Sequence, residues 1–128
     1  MIKMINFLRR REGMSSEAFH AYWLEKHAPL VREVSAVLGV WRYVQSHAER
    51  NTLVAAMYAA RGNPASPHDG VAELWWDSAE ALLAVGTTKD GRDAGRRLKA
   101  DELNFIDVPH SSAFIVQEHE VIALHGPG

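Results

Sequence analysis

The first strand-forming segment constrains this chain most. Along Ile2-Lys3-Met4-Ile5-Asn6-Phe7-Leu8 the side chains alternate, with Ile2, Met4, Asn6 and Leu8 on one face and Ile5 and Phe7 on the other. Both sets are largely apolar, so a strand over residues 2–9 needs cover on both sides. A sheet carrying helices on one face would leave its second face apolar and exposed, which is poorly soluble.

The remaining elements follow in a regular order. Gly13 turns the chain, Ser15 or Ser16 caps a helix, and Glu17 sits in its first turn. That helix runs to about His27. Pro29 opens a second helical piece with the stripe Leu30, Val34, Val37 and Leu38, and Gly39 stops it. A second strand is expected over 40–47, with Trp41, Tyr43 and Gln45 on one face. Residues 50–69 are the least regular, with a short helix at 53–60 and loop composition at Gly62-Asn63-Pro64-Ala65-Ser66-Pro67. A third strand spans 71–76. Asp77 or Ser78 caps the next helix, with Ala81, Leu82 and Val85 on its apolar side, and a further helical piece covers 90–103. The last strand is expected over 112–124, with Phe114 and Val116 facing away from Ile115 and Val121. This β-α-β-β-α-β order is the α+β, ferredoxin-like pattern: a four-stranded antiparallel sheet with helices on one face. Pairing of two sheets across a two-fold axis is the simplest cover for the second face, so a homodimer forming a two-sheet barrel is expected.

Composition narrows the function classes. The 128 residues suit a single domain spanning 1–128. No apolar run approaches the roughly 18 residues that span a bilayer, and the N-terminus is interrupted too early by Arg9 for a signal peptide. Cysteine is absent, which removes thiolate nucleophiles and disulfides and fits a reducing cytoplasm. A formal charge of −2 gives no global attraction for nucleic acid, and Arg9-Arg10-Arg11 and Arg96-Arg97-Lys99 read as solvated element ends. No phosphate loop, Gly-x-Gly-x-x-Gly or Gly-x-Ser-x-Gly occurs. His20 and His27 lie about 10.5 Å apart along a helix, too far to share a metal, and no other His pair has ligand spacing. Neither a cofactor nor a metal is therefore expected.

The chemistry-bearing feature is the stripe Phe19, Trp23, His27, spaced four and four and followed by Ala28-Pro29. On a helix the three share one face, so an imidazole that titrates near neutrality ends an aromatic row. His27 is the first candidate for proton transfer.

Several motifs carry a resemblance. Met-Ile-Lys at the start, Arg-Arg-x-Gly-Met-Ser at 10–15, Glu17-x-Phe19, Tyr22-Trp23, His27-Ala28-Pro29-Leu30 and Arg42-Tyr43-Val44-Gln45 resemble the EthD family. So do Asp69-Gly70-Val71-Ala72-Glu73-Leu74-Trp75 and Asp101-Glu102-x-x-Phe105. The resemblance spans roughly residues 2–120 and implies a dimeric α+β barrel. Relatives include a methylmuconolactone isomerase, dehydratases of polyketide aromatics and a member encoded beside an ether-degrading oxygenase, and the family is often labelled oxidoreductase. The isomerase transfers protons with a histidine at the place of His27 and a cysteine on the third strand. Here that place falls at about Leu74, and no cysteine exists.

Without a thiol, His27 needs a carboxylate or a tyrosine. Glu73, among apolar strand neighbours, is the expected partner, and the Tyr43 hydroxyl is expected to orient a substrate oxygen. Trp23 and Trp75 are expected to line an apolar pocket between the first helix and the sheet, with Asn6 as a lumen-facing amide. Asp101 reads as a local cap or pair. The expected activity is isomerisation or dehydration of a small aromatic, lactone or polyketide-like substrate; the alternatives are a non-catalytic accessory protein of an oxidative degradation pathway, or an oxidoreductase.

Overall fold

The computed structural model describes residues 1–123 and comprises four strands and five α-helices. Strands β1 (Ile2–Leu8), β2 (Arg42–His47), β3 (Gly70–Trp76) and β4 (Ser112–Val116) form one antiparallel sheet in the order β2-β3-β1-β4. β1 pairs with β3 from Ile2↔Trp76 to Leu8↔Gly70, and with β4 on its other side. This is the ferredoxin-like arrangement expected from the element order.

Alternation on the strands sorts the side chains. Ile2, Met4, Leu8, Tyr43, Ala72, Leu74 and Trp76 pack under the helices in two apolar clusters, one centred on Phe19, Trp23 and Phe105, the other on Val34, Leu38 and Trp76. The first helical arm joins α1 (Ser16–Tyr22), a π-helical turn (Trp23–His27) and α2 (Ala28–Leu38) without a break. Ser15 caps α1 by accepting from the Ala18 N–H, and Gly39 ends α2 at φ +71°. The second arm joins α4 (Ala79–Ala84), a 3₁₀ turn and α5 (Lys89–Glu102), with Ser78 and Thr88 capping the two helices. Between β2 and β3 the chain forms α3 (Thr52–Arg61), one residue longer at each end than the helix expected there.

The π turn explains how the stripe works. From Phe19 to Val31, twelve residues of ideal α-helix would rotate through about 1200°, roughly 120° past three full turns. One i→i+5 turn takes most of that drift back, so Phe19, Trp23, His27, Val31, Val34 and Leu38 all stay on the buried face. Its local cause is the proline: Pro29 has no N–H to give to the Glu25 carbonyl, and the Ala28 N–H bonds back to the Trp23 carbonyl instead.

Three expectations are corrected. The last strand ends at Val116 rather than near 124: residues 117–123 leave the sheet, and Leu124 lies outside the described residues. The second strand begins at Arg42, so Trp41 does not share the face of Tyr43 and Gln45; its ring lies 6.4 Å from that of Trp75. Trp75 and Glu73 sit on the sheet face away from the helices, because their parity on β3 is opposite to that of Ala72, Leu74 and Trp76. That face is partly covered by its own charges. Lys3 bridges Glu73 at 2.7 Å and Glu118 at 2.8 Å, and the Arg42 guanidinium lies 4.4 Å from the centre of the Trp75 ring. Phe7 and Phe114 stack there with ring centres 5.6 Å apart.

Candidate active site

A cavity of about 210 Å³ opens between the π turn, the end of α5 and the helix-facing side of the sheet. Four of the residues singled out in the sequence line it: Asn6 from β1, Trp23 and His27 from the π turn, and Tyr43 from β2. Glu73 and Trp75 do not reach it, because the sheet stands between. The expected His27–Glu73 couple is therefore absent, and Trp75 is not a wall of this cavity.

His27 is instead held by Asp101. The ring is 6% exposed, and its Nδ1 lies 2.7 Å from Asp101 Oδ2. The other carboxylate oxygen accepts from the Tyr22 hydroxyl at 2.6 Å and from the Asn104 amide at 3.3 Å. Burial pushes the Asp101 carboxyl up, but the hydrogen bonds from Tyr22, His27 and Asn104 outweigh it and hold it below the usual carboxylate range. An ionised Asp101 accepts only, so Nδ1 carries the ring proton and the lone pair of a neutral His27 sits on Nε2. Nε2 has no hydrogen-bond partner among the described residues, and His27 is one of the residues that line the cavity.

Tyr43 is oriented with similar definition. Gln45 Nε2 donates to the Trp23 carbonyl at 2.9 Å and to the Tyr43 hydroxyl at 3.0 Å. The carbonyl can only accept, which identifies Nε2 as the amide nitrogen; Gln45 Oε1 in turn accepts from His47 Nε2 at 2.8 Å. Tyr43 oxygen is thus an acceptor for Gln45, and its own proton remains free to donate. Burial raises its pKa, with the Gln45 hydrogen bond a smaller opposing effect, so it remains a phenol at neutral pH. The carbonyl that anchors Gln45 is the one that closes the π turn, so the same local distortion places His27 and Tyr43.

Two residues escaped the sequence reading. Asp101 read as a local cap or pair, and Glu102, which also lines the cavity, entered only as part of the Asp101-Glu102-x-x-Phe105 motif, with no role of its own. The signal was available: Ala94 and Leu98 continue at helical spacing to Asp101, Glu102 and Phe105, so two carboxylates fall on an apolar stripe. Among the described residues no three His, Asp or Glu side chains stand close enough together to hold a metal ion.

Fold and cavity define a ferredoxin-like α+β protein with a small, largely apolar pocket that presents an imidazole and a phenol. The EthD domain model matches residues 11–109, and the chain belongs to that family. It is similar to an EthD family protein from Bacillus halodurans at 20% identity, with 93% of this chain and 99% of that one covered and a TM-score of 0.62. A dimeric protein of ferredoxin-like fold and unknown function from Bacteroides fragilis superposes at a TM-score of 0.56, with 9% identity and 91% and 95% coverage. A cofactor-independent oxygenase from Streptomyces nogalater, crystallised as a point mutant, does so at 0.51, with 12% identity and 94% and 95% coverage. No curated protein sequence gives a significant match. At these identities the likeness shows the shared fold.

Proposed function

We propose that this protein is a proton-transfer enzyme of the isomerase or dehydratase type, acting on a small ring compound with His27 as its general base. The observation that carries the proposal is the Asp101–His27 couple, which holds the ring proton on Nδ1 and leaves the Nε2 of a cavity-lining imidazole without a partner. Tyr43 is positioned to donate to the substrate oxygen that gains charge as the proton leaves carbon. Asn6 supplies a second polar group on the wall, and Trp23 a flat apolar one. The volume sets the substrate's size. A cavity of roughly 150 Å³ accepts benzene, so about 210 Å³ suits one six-membered ring with a few substituents.

The test uses 3-hydroxycyclohexanone in D₂O, followed by proton NMR. The protein is expected to speed exchange of the hydrogens beside the carbonyl, and His27→Gln to abolish that acceleration while the circular dichroism spectrum and Tm stay close to wild type. Binding of the ketone with no exchange by wild type would make the protein a carrier and sink the enzymatic reading.

The proposed assembly is a homodimer paired through the open sheet face. Phe114 is half-exposed on that face beside Phe7, and the Bacteroides fragilis neighbour is described as dimeric. Light scattering after size exclusion should give twice the 14.3 kDa chain mass; a monomer at micromolar concentration would overturn it.

A further inference from the structure

We infer that Glu102 is a second catalytic group of this cavity, the acid that delivers a proton to a departing oxygen while His27 removes one from carbon. The inference rests on the proton-transfer reading above; it adds a residue to it and favours elimination over isomerisation.

Asp101 and Glu102 are adjacent on the last turn of α5, about 100° apart around the helix axis. One carboxylate therefore goes behind the His27 ring to Nδ1, and the other enters the cavity in front of it. Their surroundings differ sharply. The Asp101 carboxylate receives hydrogen bonds from Tyr22, His27 and Asn104, whereas the Glu102 carboxyl has no hydrogen-bond partner among the described residues. The cavity lining contains no Lys or Arg to hold a second carboxylate. Burial raises the Glu102 pKa. His27 on the π turn and Lys99 on α5 offset part of this, and the neighbouring Asp101 charge adds to it. Tyr43, facing from β2, stays neutral. Two carboxyls driven in opposite directions by their surroundings is the pattern that separates a charged positioning group from a proton donor.

A 1,3-proton shift needs only one group, which takes a proton and returns it. A second, separately held proton is what a leaving oxygen requires. On a β-hydroxy carbonyl ring, His27 Nε2 takes the proton beside the carbonyl, and the released electron pair forms a C=C bond. The C–O bond then breaks, and the hydroxyl leaves as water with the Glu102 proton. His27 ends protonated and Glu102 ionised; transfer of the proton from one to the other through cavity water restores both. No oxidant or reductant is consumed.

The test has two readouts. In a carbon NMR titration of the side-chain carboxyls, assigned with Glu102→Gln, Glu102 should titrate above the ordinary glutamate range. With 3-hydroxycyclohexanone, Glu102→Gln should lower the ratio of 2-cyclohexenone formed to deuterium exchanged by about 100-fold. It should also erase the fall in elimination that wild type shows as pH rises through the Glu102 titration, and Glu102→Asp should restore part of the ratio. Folding is not at risk. A carboxyl whose pKa is raised in the folded state contributes stability below its unfolded value and loses it as pH rises through the folded one. Glu102→Gln should accordingly match or exceed wild type in Tm at pH 8. An ordinary Glu102 titration, or an unchanged ratio in the variant, overturns the assignment with the His27 reading intact. Absence of any exchange by wild type removes both.

Discussion

Asp101→Asn is expected to reduce deuterium exchange into 3-hydroxycyclohexanone by about 10³-fold, within the range for loss of a positioned general base. The substitution changes no volume, so the effect has to come from hydrogen-bond direction. Asp101 Oδ1 accepts from both the Tyr22 hydroxyl and the Asn104 amide. In the variant those two donors claim the single amide oxygen, and the new NH₂ group is turned toward His27 Nδ1. Nδ1 must then accept, the ring proton moves to Nε2, and the lone pair facing the cavity is lost. The measurement is initial exchange rate at fixed protein concentration, alongside a thermal melt. A rate within threefold of wild type would show that Asp101 does not set the tautomer. A loss of rate that merely tracks loss of folded protein would make the residue structural.

Gly70→Ala should be the most damaging small substitution in the sheet. Gly70 opens β3, and a Cβ there would lie 2.5 Å from Trp23 Cζ3 and 2.7 Å from the Ser46 carbonyl oxygen. Neither neighbour can yield cheaply. Trp23 is 1% exposed and wedged between Phe19, 5.5 Å away, and His47, 4.4 Å away. The Ser46 oxygen belongs to the backbone of β2, whose register pairs His47 with Gly70. Overpacking of this kind costs about 3 kcal/mol, the upper part of its usual range, which lowers Tm on the order of 10 °C for a domain of this size. Differential scanning fluorimetry would check it, and a Tm within about 2 °C of wild type would mean that the β2–β3 ladder relaxes more easily than the packing suggests. Any folded fraction should also bind the ketone more weakly, since the displaced indole is a wall of the cavity.

What could be read from the chain alone was whatever depends on neighbours a few residues apart. Caps at Ser15 or Ser16 and at Asp77 or Ser78, the stop at Gly39, the alternation of β1 and the stripe through Trp23 and His27 are local properties, and the structure realises each of them, with Ser15 and Ser78 as the caps. The order of these elements was enough for the ferredoxin-like sheet. The partner of His27 was not legible in that way. On β3 both parities are apolar, Val71 and Trp75 with Glu73 on one, Ala72, Leu74 and Trp76 on the other. Alternation alone could not say which set meets the helices, and Glu73 fell on the far side with Lys3. Asp101 lies 74 positions from His27, and only the packing of α5 against the first arm brings the two together. The π turn is of the same kind. Pro29 signals a disturbed helix and removes the N–H that would close an ordinary turn, but the widened turn that results shows only in the structure, where the Ala28 N–H bonds to the Trp23 carbonyl. Local sequence thus determined the order of strands and helices and singled out the imidazole, though not where β2 begins or β4 ends. Tertiary packing alone chose the face, the carboxylate that orients the ring and the one left in the cavity, because burial and charge pairing depend on residues far apart in the chain.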